Sequence, residues 1–388
     1  MKKLLYLLFL LPLFLTAQYK QLSPKAEISV ITCGSGSELY STFGHSAFRI
    51  QDIPNRLDRV YNYGTFNFNT PNFYLKFTRG KLLYELRAYN FGNFLREYHR
   101  EQRWVDGQVL DLKQIEKQQI FEFLENNAKP ENRAYKYDFF YDNCSTKMYD
   151  VLDSVLGQKL IFDEKYESKI FTHRNLIHQY TKDLPWSEFG IDLALGSVID
   201  RKASTKEYMF LPNYVFKALV KVNIKDHDIE KPLIKRVENI LLDFNSPSTK
   251  NIFTPLLIFS IMALIVIWIS YKDYKNKTRN KAVDFIMFFV TGLTGIVLLL
   301  LWFATDHTAT ADNFNILWAF APNILFAFLI SKHNKLSYYY IFTLLALLDL
   351  LLILWIFKVQ IFAIALIPIL IMLYVRYLYL WFFFKNKQ

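Results

Sequence analysis

Residues 137–147 read YDFFYDNCSTK, a run of aromatic residues that ends at an Asp-Asn pair directly before Cys144. Apolar residues follow at helical spacing from Met148 to Leu156, and Gly157 closes the pattern. The stretch therefore predicts a loop that leads into a helix, with the cysteine at the junction.

The predicted position of Cys144 gives its thiol a distinct chemical setting. The helix cap would be Asn143 or Asp142, so the cysteine would lie in the first helical turn. Unpaired backbone N–H groups and the positive end of the helix dipole favour an anion there, which lowers the pKa of a thiol. Cys144 is therefore a candidate nucleophile. The alternative is a structural role, as a buried cysteine or as half of a disulfide with Cys33.

The chain divides into three parts by composition. Residues 1–17 carry Lys2 and Lys3 ahead of a short apolar core, which predicts a secretory signal peptide. Residues 18–250 are mixed in character and long enough to bury a core as one domain. Strand and helix patterns both occur there, so the predicted fold class is α+β. Residues 251–388 are overwhelmingly apolar and predict an all-α membrane domain.

Five apolar stretches in the last part have about the length that a bilayer requires. They are residues 252–270, 283–303, 314–330, 338–357 and 361–384. Lysine or arginine occurs in the first and third connecting loops and at the C-terminus, whereas the second loop, residues 304–313, has neither. Because basic loops stay in the cytoplasm, we predict five transmembrane helices, a cytoplasmic C-terminus and an exported N-terminal domain.

The net charge of +11 does not require a nucleic-acid partner. Basic residues in cytoplasmic loops orient a membrane protein, and they explain much of this charge. The sequence contains no His/Cys cluster with metal-ligand spacing and no glycine-rich phosphate loop. We therefore expect neither a metal nor another cofactor, and no nucleic acid.

Two polar residues in predicted strands are candidate partners for Cys144. Apolar residues alternate from His45 to Ile50, as in a half-buried strand. A second strand is predicted at residues 59–63 and contains Asn62. A lone histidine is usually structural or exposed. A histidine at a strand start, an amide on the next strand and a cysteine at a helix start together favour a catalytic group.

The same patterns predict further elements of the exported domain. Two more strands and two helices are expected, at residues 28–32, 104–112, 91–103 and 114–127. Residues 73–86 hold Arg79 and Lys81 between aromatic flanks and predict a hairpin or strand pair. The basic pair would face anionic head groups and help to bind substrate. The alternative is a turn with solvated charges.

The loop between the second and third predicted spans is unusually polar, and residues 305–315 read TDHTATADNFN. It offers His307, Asn313 and Asn315, and Trp318 follows closely. The functional interpretation is a head-group or substrate site at the outer membrane surface. The alternative is a hydrated connector with an interfacial tryptophan.

Several motifs resemble the Lnb family, whose members are lipoprotein N-acyltransferases. The motifs are FGHSAFRI at 43–50, FFYDNCSTK at 139–147 and WSEFGIDLALGSVID at 186–200. The resemblance extends over most of the chain, including the apolar half. A histidine strand before a cysteine helix is the order of circularly permuted papain-like enzymes, among them lecithin:retinol acyltransferase-like proteins. The resemblance therefore implies such a domain in the periplasm, attached to a membrane domain in the bacterial inner membrane.

The resemblance also implies a reaction and roles for individual residues. Mapped residue by residue, it places the nucleophile at Cys144, the base at His45 and a third polar member at Asn62. The reaction would move an acyl chain from a phospholipid to the N-terminal amine of a diacylglyceryl-cysteine lipoprotein through a cysteine thioester. Asn143 or backbone N–H groups would hold the oxyanion, with Asp142 in support.

Two other functions use the same sequence features. A membrane-anchored cysteine peptidase or amidase would employ the same cysteine and histidine to cleave amides in water. A non-catalytic envelope-binding protein would be favoured if Cys33 and Cys144 were bridged.

Overall fold

The computed structural model describes residues 20–226, 229–244, 252–330 and 334–386. The predicted signal peptide, residues 1–17, lies outside the described residues. Mixed strands and helices extend as far as Leu241, and from Pro255 onward the described chain is helical, with short 3-10 turns.

Seven strands of the described chain form one antiparallel sheet in the order β10-β5-β1-β2-β3-β4-β6. They are β1 (Glu27–Cys33), β2 (His45–Asp52), β3 (Leu57–Thr65), β4 (Leu83–Asn90), β5 (Val105–Leu110), β6 (Ala134–Lys136) and β10 (Ile234–Leu241). All four strands that the sequence predicts are confirmed. The inner strand β1 is buried along almost its whole length, and its apolar side chains alternate between the two faces of the sheet, with Ile28 and Val30 on one face and Ile31 and Cys33 on the other.

Seven helices accompany this sheet among the described residues. They are α1 (Phe73–Thr78), α2 (Phe91–Arg100), α3 (Gln114–Asn127), α4 (Thr146–Leu156), α5 (His173–Thr181), α6 (Pro185–Ala194) and α7 (Pro212–Lys221). A smaller sheet is formed by β7 (Leu160–Ile161), β8 (Asn223–Asp226) and β9 (Ile229–Pro232). The helices predicted at residues 91–103 and 114–127 are confirmed as α2 and α3.

Apolar side chains cover the large sheet on both faces. On one face, Phe48 and Tyr61 pack with residues of α3, α4 and α7, such as Met148. On the other face, Val60 packs with Phe94 of α2. Burial of α4 against the first face fixes the loop before it, and that loop carries the cysteine.

The hairpin predicted at residues 73–86 is wrong. Phe73–Thr78 is the helix α1, and β4 begins only at Leu83. The helix begins after Asn72, whose φ of 56° lies in the left-handed region, and Phe73 stacks on Phe77 one turn later. Aromatic residues are enriched in strands, but here their spacing of four places two rings on one side of a helix.

The described residues of the second part form five more helices. They are α8 (Pro255–Asn276), α9 (Lys281–Phe303), α10 (Asn323–Leu329), α11 (Asn334–Ile356) and α12 (Leu366–Lys385). Within the described residues, four of these are long and apolar enough to cross a membrane, namely α8, α9, α12 and α11 from Lys335 onward.

The third predicted span, residues 314–330, is not one continuous helix. It consists of a 3-10 turn at Phe314–Leu317, a break at Pro322 and the seven-residue α10. The break packs so closely on α9 that a side chain at Gly292 or Gly295 would collide with its backbone. Non-helical backbone is tolerated at membrane depth where protein covers it, and these two glycines let α9 cover it.

A buried ion cluster joins three of the long helices. Arg376 of α12 is fully buried and contacts Asp273 of α8 at 2.8 Å and Asp284 of α9 at 2.7 Å. Arg279 pairs with the same Asp284 at 3.1 Å. Two arginines and two aspartates neutralise one another, so the cluster holds the helices together without a net charge.

Candidate active site

The site is built where β2 and β3 meet the loop before α4. The register of the two strands pairs Phe48 with Tyr61, which places His45 and Asn62 on the same face of the sheet. Gly64 has a φ of +83°, and a side chain there would lie 3.4 Å from the Cβ of Cys144. Glycine therefore suits this backbone conformation and leaves space for the cysteine beside the histidine.

A chain of hydrogen bonds connects the three predicted catalytic residues. The Nε2 atom of His45 lies 2.6 Å from the Oδ1 atom of Asn62, and the thiol of Cys144 hydrogen-bonds to the same imidazole. The Nδ2 atom of Asn62 donates to the hydroxyl of Tyr89 at 3.0 Å. Because Oδ1 can only accept, it requires a proton on Nε2, which leaves Nδ1 of His45 free to take the proton of the thiol.

The electrostatics of the pair favour a thiolate. Burial alone would raise the pKa of the Cys144 thiol, but the charge of His45, its hydrogen bond, the Ser46 backbone N–H and the Ser145 hydroxyl lower that pKa to about 7. Burial would likewise lower the pKa of His45, and the charge of Cys144 with its hydrogen bond overcomes this and raises it. The arrangement stabilises a thiolate beside an imidazolium, the form in which a cysteine is nucleophilic.

Alkylation of Cys144 by iodoacetamide is expected to follow this pKa. Because only the thiolate reacts, the rate should rise with pH and reach half its maximum near pH 7. Cys33 serves as the internal control, since it is buried and burial raises the pKa of its thiol. Peptide mass spectrometry after timed labelling measures both sites. A half-maximal rate near pH 9, the ordinary value for a thiol, would contradict the described electrostatics.

Both cysteines of the chain are free, so the disulfide alternative is wrong. Cys33 is buried in β1, and its Cα atom pairs with that of His45 across the two strands. Its side chain packs in the apolar cluster between the sheet and α2. The structure therefore gives Cys33 a packing role and leaves Cys144 available for chemistry.

The cap residue of α4 is Ser145, so the cap predicted at Asn143 or Asp142 is wrong, but Asn143 still fixes the entry to the helix. Helix α4 begins at Thr146, so Cys144 precedes the first turn instead of lying in it. The Oδ1 atom of Asn143 accepts from the backbone N–H groups of Ser145 at 2.8 Å and Thr146 at 2.9 Å. Its Nδ2 atom donates to the carbonyls of Phe139 and Phe210. Both amide hydrogens of Asn143 are thus used within the protein, so its side chain has no donor left for the predicted oxyanion contact.

Asp142 stabilises the same loop. Its carboxylate pairs with Lys147 at 2.6 Å, and its backbone exchanges two hydrogen bonds with Asp138. The carboxylate of Asp138 accepts from the backbone N–H groups of Phe140 and Tyr141. The loop that presents the cysteine is therefore fixed from within.

The polar loop of the membrane domain docks beside this cysteine loop. Thr308 donates to the carboxylate of Asp138 at 2.7 Å, and Asp306 pairs with Lys136 at 2.9 Å. His307 lies 3.1 Å from the carbonyl of Thr78. The loop thus connects the C-terminal end of α9 to the segment that leads to Cys144.

The basic turn predicted to bind substrate lies in the same region. The carbonyl of Arg79 accepts from the backbone N–H of Asp306 at 2.9 Å, and a side chain at Gly80 would approach the ring of His307 at 3.2 Å. The side chains of Arg79 and Lys81 are exposed. Arg79, Lys81 and His307 are therefore neighbours at the border between the two parts of the chain.

The remaining predicted substrate residues are buried in the domain interface. The amide of Asn313 donates to the carbonyls of Leu193 and Ala194. The amide of Asn315 donates to the last turn of the same helix, and Trp318 donates to the Oδ1 atom of Asn315 at 2.9 Å. The two amides pair with carbonyls at the end of α6 that would otherwise be unpaired, and Trp318 holds Asn315 in place. The structure assigns them to docking, which differs from the predicted contact with substrate.

Asn313→Ala and Asn315→Ala are expected to act on stability. Each change removes a buried amide and leaves one carbonyl of α6 without its side-chain donor, that of Ala194 or that of Asp192, at a cost of about 1–3 kcal/mol. The thermal unfolding midpoint in detergent should fall, while the Michaelis constant for a lipid substrate stays near that of the wild type. Asn93→Ala, at an exposed position of α2, is the matched control. An unchanged midpoint with a raised Michaelis constant would restore the role in substrate binding.

Sequence reasoning missed several residues of the site. Tyr89 extends the hydrogen-bond chain from β4, and Gly64 makes room for the cysteine. Ser46 places its backbone N–H at the sulfur, and its hydroxyl lies 3.3 Å from that of Ser145. Of these residues, only Ser46 could have been identified from the sequence, because it directly follows His45. Among the described residues, no group of three His, Cys, Asp or Glu side chains is placed to hold a metal ion.

Site and fold together define a membrane-associated envelope protein whose N-terminal domain carries a cysteine, a histidine and an asparagine in hydrogen-bond contact. Comparison with family models gives two matches. Residues 15–179 match the Lnb N-terminal periplasmic domain, and residues 247–388 match the Lnb transmembrane domain. The chain belongs to the Lnb family, as its motifs predict. Comparisons with curated proteins and with solved structures found no match.

Proposed function

We propose that this protein is a lipoprotein N-acyltransferase that carries the acyl chain as a thioester on Cys144. The observation that carries the proposal is the hydrogen-bonded Cys144–His45–Asn62 group, located beside the docked loop of the membrane domain. Such a group activates a thiol, and its attachment to the membrane domain suits a substrate that resides in lipid. The order of His45 on a strand before Cys144 ahead of a helix supports a circularly permuted papain-like domain.

The first half of the proposed reaction forms the thioester. His45 takes the proton of Cys144, and the sulfur attacks the ester carbonyl of a phospholipid. The tetrahedral oxyanion accepts a hydrogen bond from a backbone N–H group, and that of Ser46 already contacts the sulfur. The carbon–oxygen bond then breaks, and His45 gives its proton to the leaving lysophospholipid alcohol.

The second half transfers the acyl group to nitrogen. The α-amine of a diacylglyceryl-cysteine lipoprotein attacks the thioester carbonyl, and His45 removes a proton from the amine. The carbon–sulfur bond breaks, so an amide leaves and the Cys144 thiolate returns. An α-amine has a pKa of about 7.7–8.0, so a useful fraction is neutral at pH 7. Asn62 keeps the imidazole oriented through both halves, and Tyr89 keeps Asn62 oriented.

We further propose five passes through the bacterial inner membrane, with the N-terminal domain in the periplasm. Asn315 contacts α6 at one end of the broken segment, and the carbonyl of Ile330 accepts from Arg279 at the other. Arg279 lies just before α9, so this segment extends along the full length of that helix. With five passes, Lys275 and Lys385 lie on the same side of the membrane. That side is the cytoplasm, because loops rich in lysine and arginine stay there.

Accessibility of an introduced thiol tests this topology. Lys275→Cys should react with a membrane-impermeant maleimide only after the cytoplasmic side is opened. A cysteine at Thr305, at the opposite end of α9, should react in intact spheroplasts. Labelling of Lys275→Cys in intact spheroplasts would overturn the proposed orientation.

Mass spectrometry of a lipoprotein N-terminus tests the proposed reaction. Lipoproteins from cells with this protein should carry one more acyl chain, on the α-amine, than those from cells without it. Equal N-acylation in the two strains would contradict the proposal, and a cleaved peptide in its place would identify a peptidase.

A further inference from the structure

A group of aromatic residues lies at the surface of the N-terminal domain, with three exposed rings over a half-buried Phe66 and a buried Phe73. We call it the aromatic face and define it as Phe66, Phe68, Phe73, Tyr74 and Phe77. Three of the rings contact one another, with centroid separations of 5.0 Å between Phe66 and Phe68, 4.9 Å between Phe68 and Phe73 and 5.7 Å between Phe66 and Phe73. Yet Tyr74 is 78% exposed and Phe68 is 68% exposed. An apolar surface of this extent marks a contact with another apolar phase.

The aromatic face is held next to the end of a membrane helix. Thr78, the last residue of α1, contacts His307 through its carbonyl, and the carbonyl of Arg79 contacts the backbone of Asp306. These two loop residues follow shortly after Phe303, where α9 ends. Phe303 is 72% exposed itself. The aromatic face therefore lies at the level where α9 leaves the bilayer.

The aromatic face and the residues beside it have the composition of a segment that lies at a membrane interface. Aromatic side chains concentrate where hydrocarbon meets head groups, and basic side chains beside them reach lipid phosphates. Lys76 belongs to α1, and the exposed Arg79 and Lys81 follow directly. No carboxylate occurs between residues 66 and 81, so nothing in this segment opposes an anionic lipid surface.

From this face a continuous row of rings leads to the nucleophile. Phe66 contacts Tyr84 with a centroid separation of 5.4 Å, and Tyr84 stacks on Tyr137 at 4.2 Å. The ring of Tyr137 lies 3.9 Å from the point where Gly64 would carry a side chain, and the Cβ of Cys144 lies 3.4 Å from that same point. The aromatic surface is thus unbroken from the outside of the domain to the cysteine.

We infer that residues 66–78 insert into the lipid leaflet that faces the N-terminal domain, and that the row from Phe66 through Tyr84 to Tyr137 is the path by which a phospholipid acyl chain reaches Cys144. The insertion stands on the position and composition of the aromatic face. The path rests on the proposed function, because it supplies the acyl donor of that reaction.

A depth probe tests the insertion without any need for catalysis. Tyr74→Cys in a Cys144→Ser background, labelled with nitrobenzoxadiazole, is placed in phosphatidylcholine/phosphatidylglycerol nanodiscs with or without doxyl-labelled lipid. The expected result is blue-shifted emission that the doxyl lipid quenches. Ile53→Cys is the matched control, since Ile53 is 75% exposed but follows the end of β2 that is remote from His45. Equal, weak quenching at both positions would overturn the insertion.

A pair of acyl donors tests the path. Tyr74→Asp/Phe77→Asp should slow acylation of Cys144 from phospholipid vesicles at least tenfold more than acylation from a water-soluble short-chain ester. Ile53→Asp should slow neither. Equal effects on both donors, or none, would overturn the path. A wild-type protein that accepts neither donor would contradict the proposed function instead, while the probe at Tyr74 would still decide the insertion.

Discussion

Cys144→Ala is expected to abolish acyl transfer, with a rate reduction of about three orders of magnitude or more. The substitution removes the sulfur that must form the thioester. Cys33 lies on the neighbouring strand but cannot replace it, because Cys33 is buried and burial raises the pKa of its thiol. Transfer is measured with purified protein in liposomes, a labelled phospholipid and a diacylated lipopeptide. The protein should keep its thermal unfolding midpoint, because Cys144 is only partly buried.

Cys33→Ala is the matched control for this prediction. Cys33 is the other cysteine of the chain, and it packs in the core without contact to substrate in the proposed reaction. The variant should retain most of the transfer activity. Transfer at the wild-type rate by Cys144→Ala would contradict the mechanism, whatever the behaviour of the control.

His45→Ala should lower the transfer rate by about two to four orders of magnitude. The imidazole accepts the thiol proton, and its charge offsets the effect of burial on the Cys144 pKa. Without it, only the Ser46 backbone N–H and the Ser145 hydroxyl oppose the effect of burial, so the pKa of the thiol should rise above 7. The pH profile of iodoacetamide labelling measures this shift separately from turnover.

His99→Ala is the control for the second prediction, since His99 is exposed on α2. It should change neither turnover nor the labelling profile. If His45→Ala kept a labelling midpoint near pH 7, the source of the lowered pKa would lie elsewhere in the site.

Local patterns in the sequence predict most of the site. The apolar spacing after Cys144 predicts α4, and the alternation after His45 predicts β2. Asn62 follows on the next strand, and antiparallel pairing of neighbouring strands is enough to bring it to His45. Each of these inferences uses residues close together in sequence, where periodicity carries the information.

Contacts between distant segments could not be predicted in this way. Tyr89 is one of 25 tyrosines, and only the pairing of β4 with β3 brings it to Asn62. The amides of Asn313 and Asn315 suggest a polar surface site, but they meet the end of α6 more than a hundred residues earlier in the chain.

The membrane domain shows a related limit. Hydropathy identifies residues 314–330 as apolar, but it does not show that the helix is interrupted at Pro322. Nor does it show that Gly292 and Gly295 make room for this break. The helix α1 was missed for a similar reason, because its aromatic residues also favour strands.

Trapping the intermediate tests the central claim most directly. The wild-type protein in liposomes is incubated with a phospholipid that carries a labelled acyl chain, without a lipopeptide acceptor, and is then digested for tandem mass spectrometry. We expect the label on the peptide that contains Cys144, its release by neutral hydroxylamine, and its loss on later addition of the diacylated lipopeptide. A protein that N-acylates the lipopeptide but never carries a hydroxylamine-sensitive acyl group on Cys144 would contradict the account.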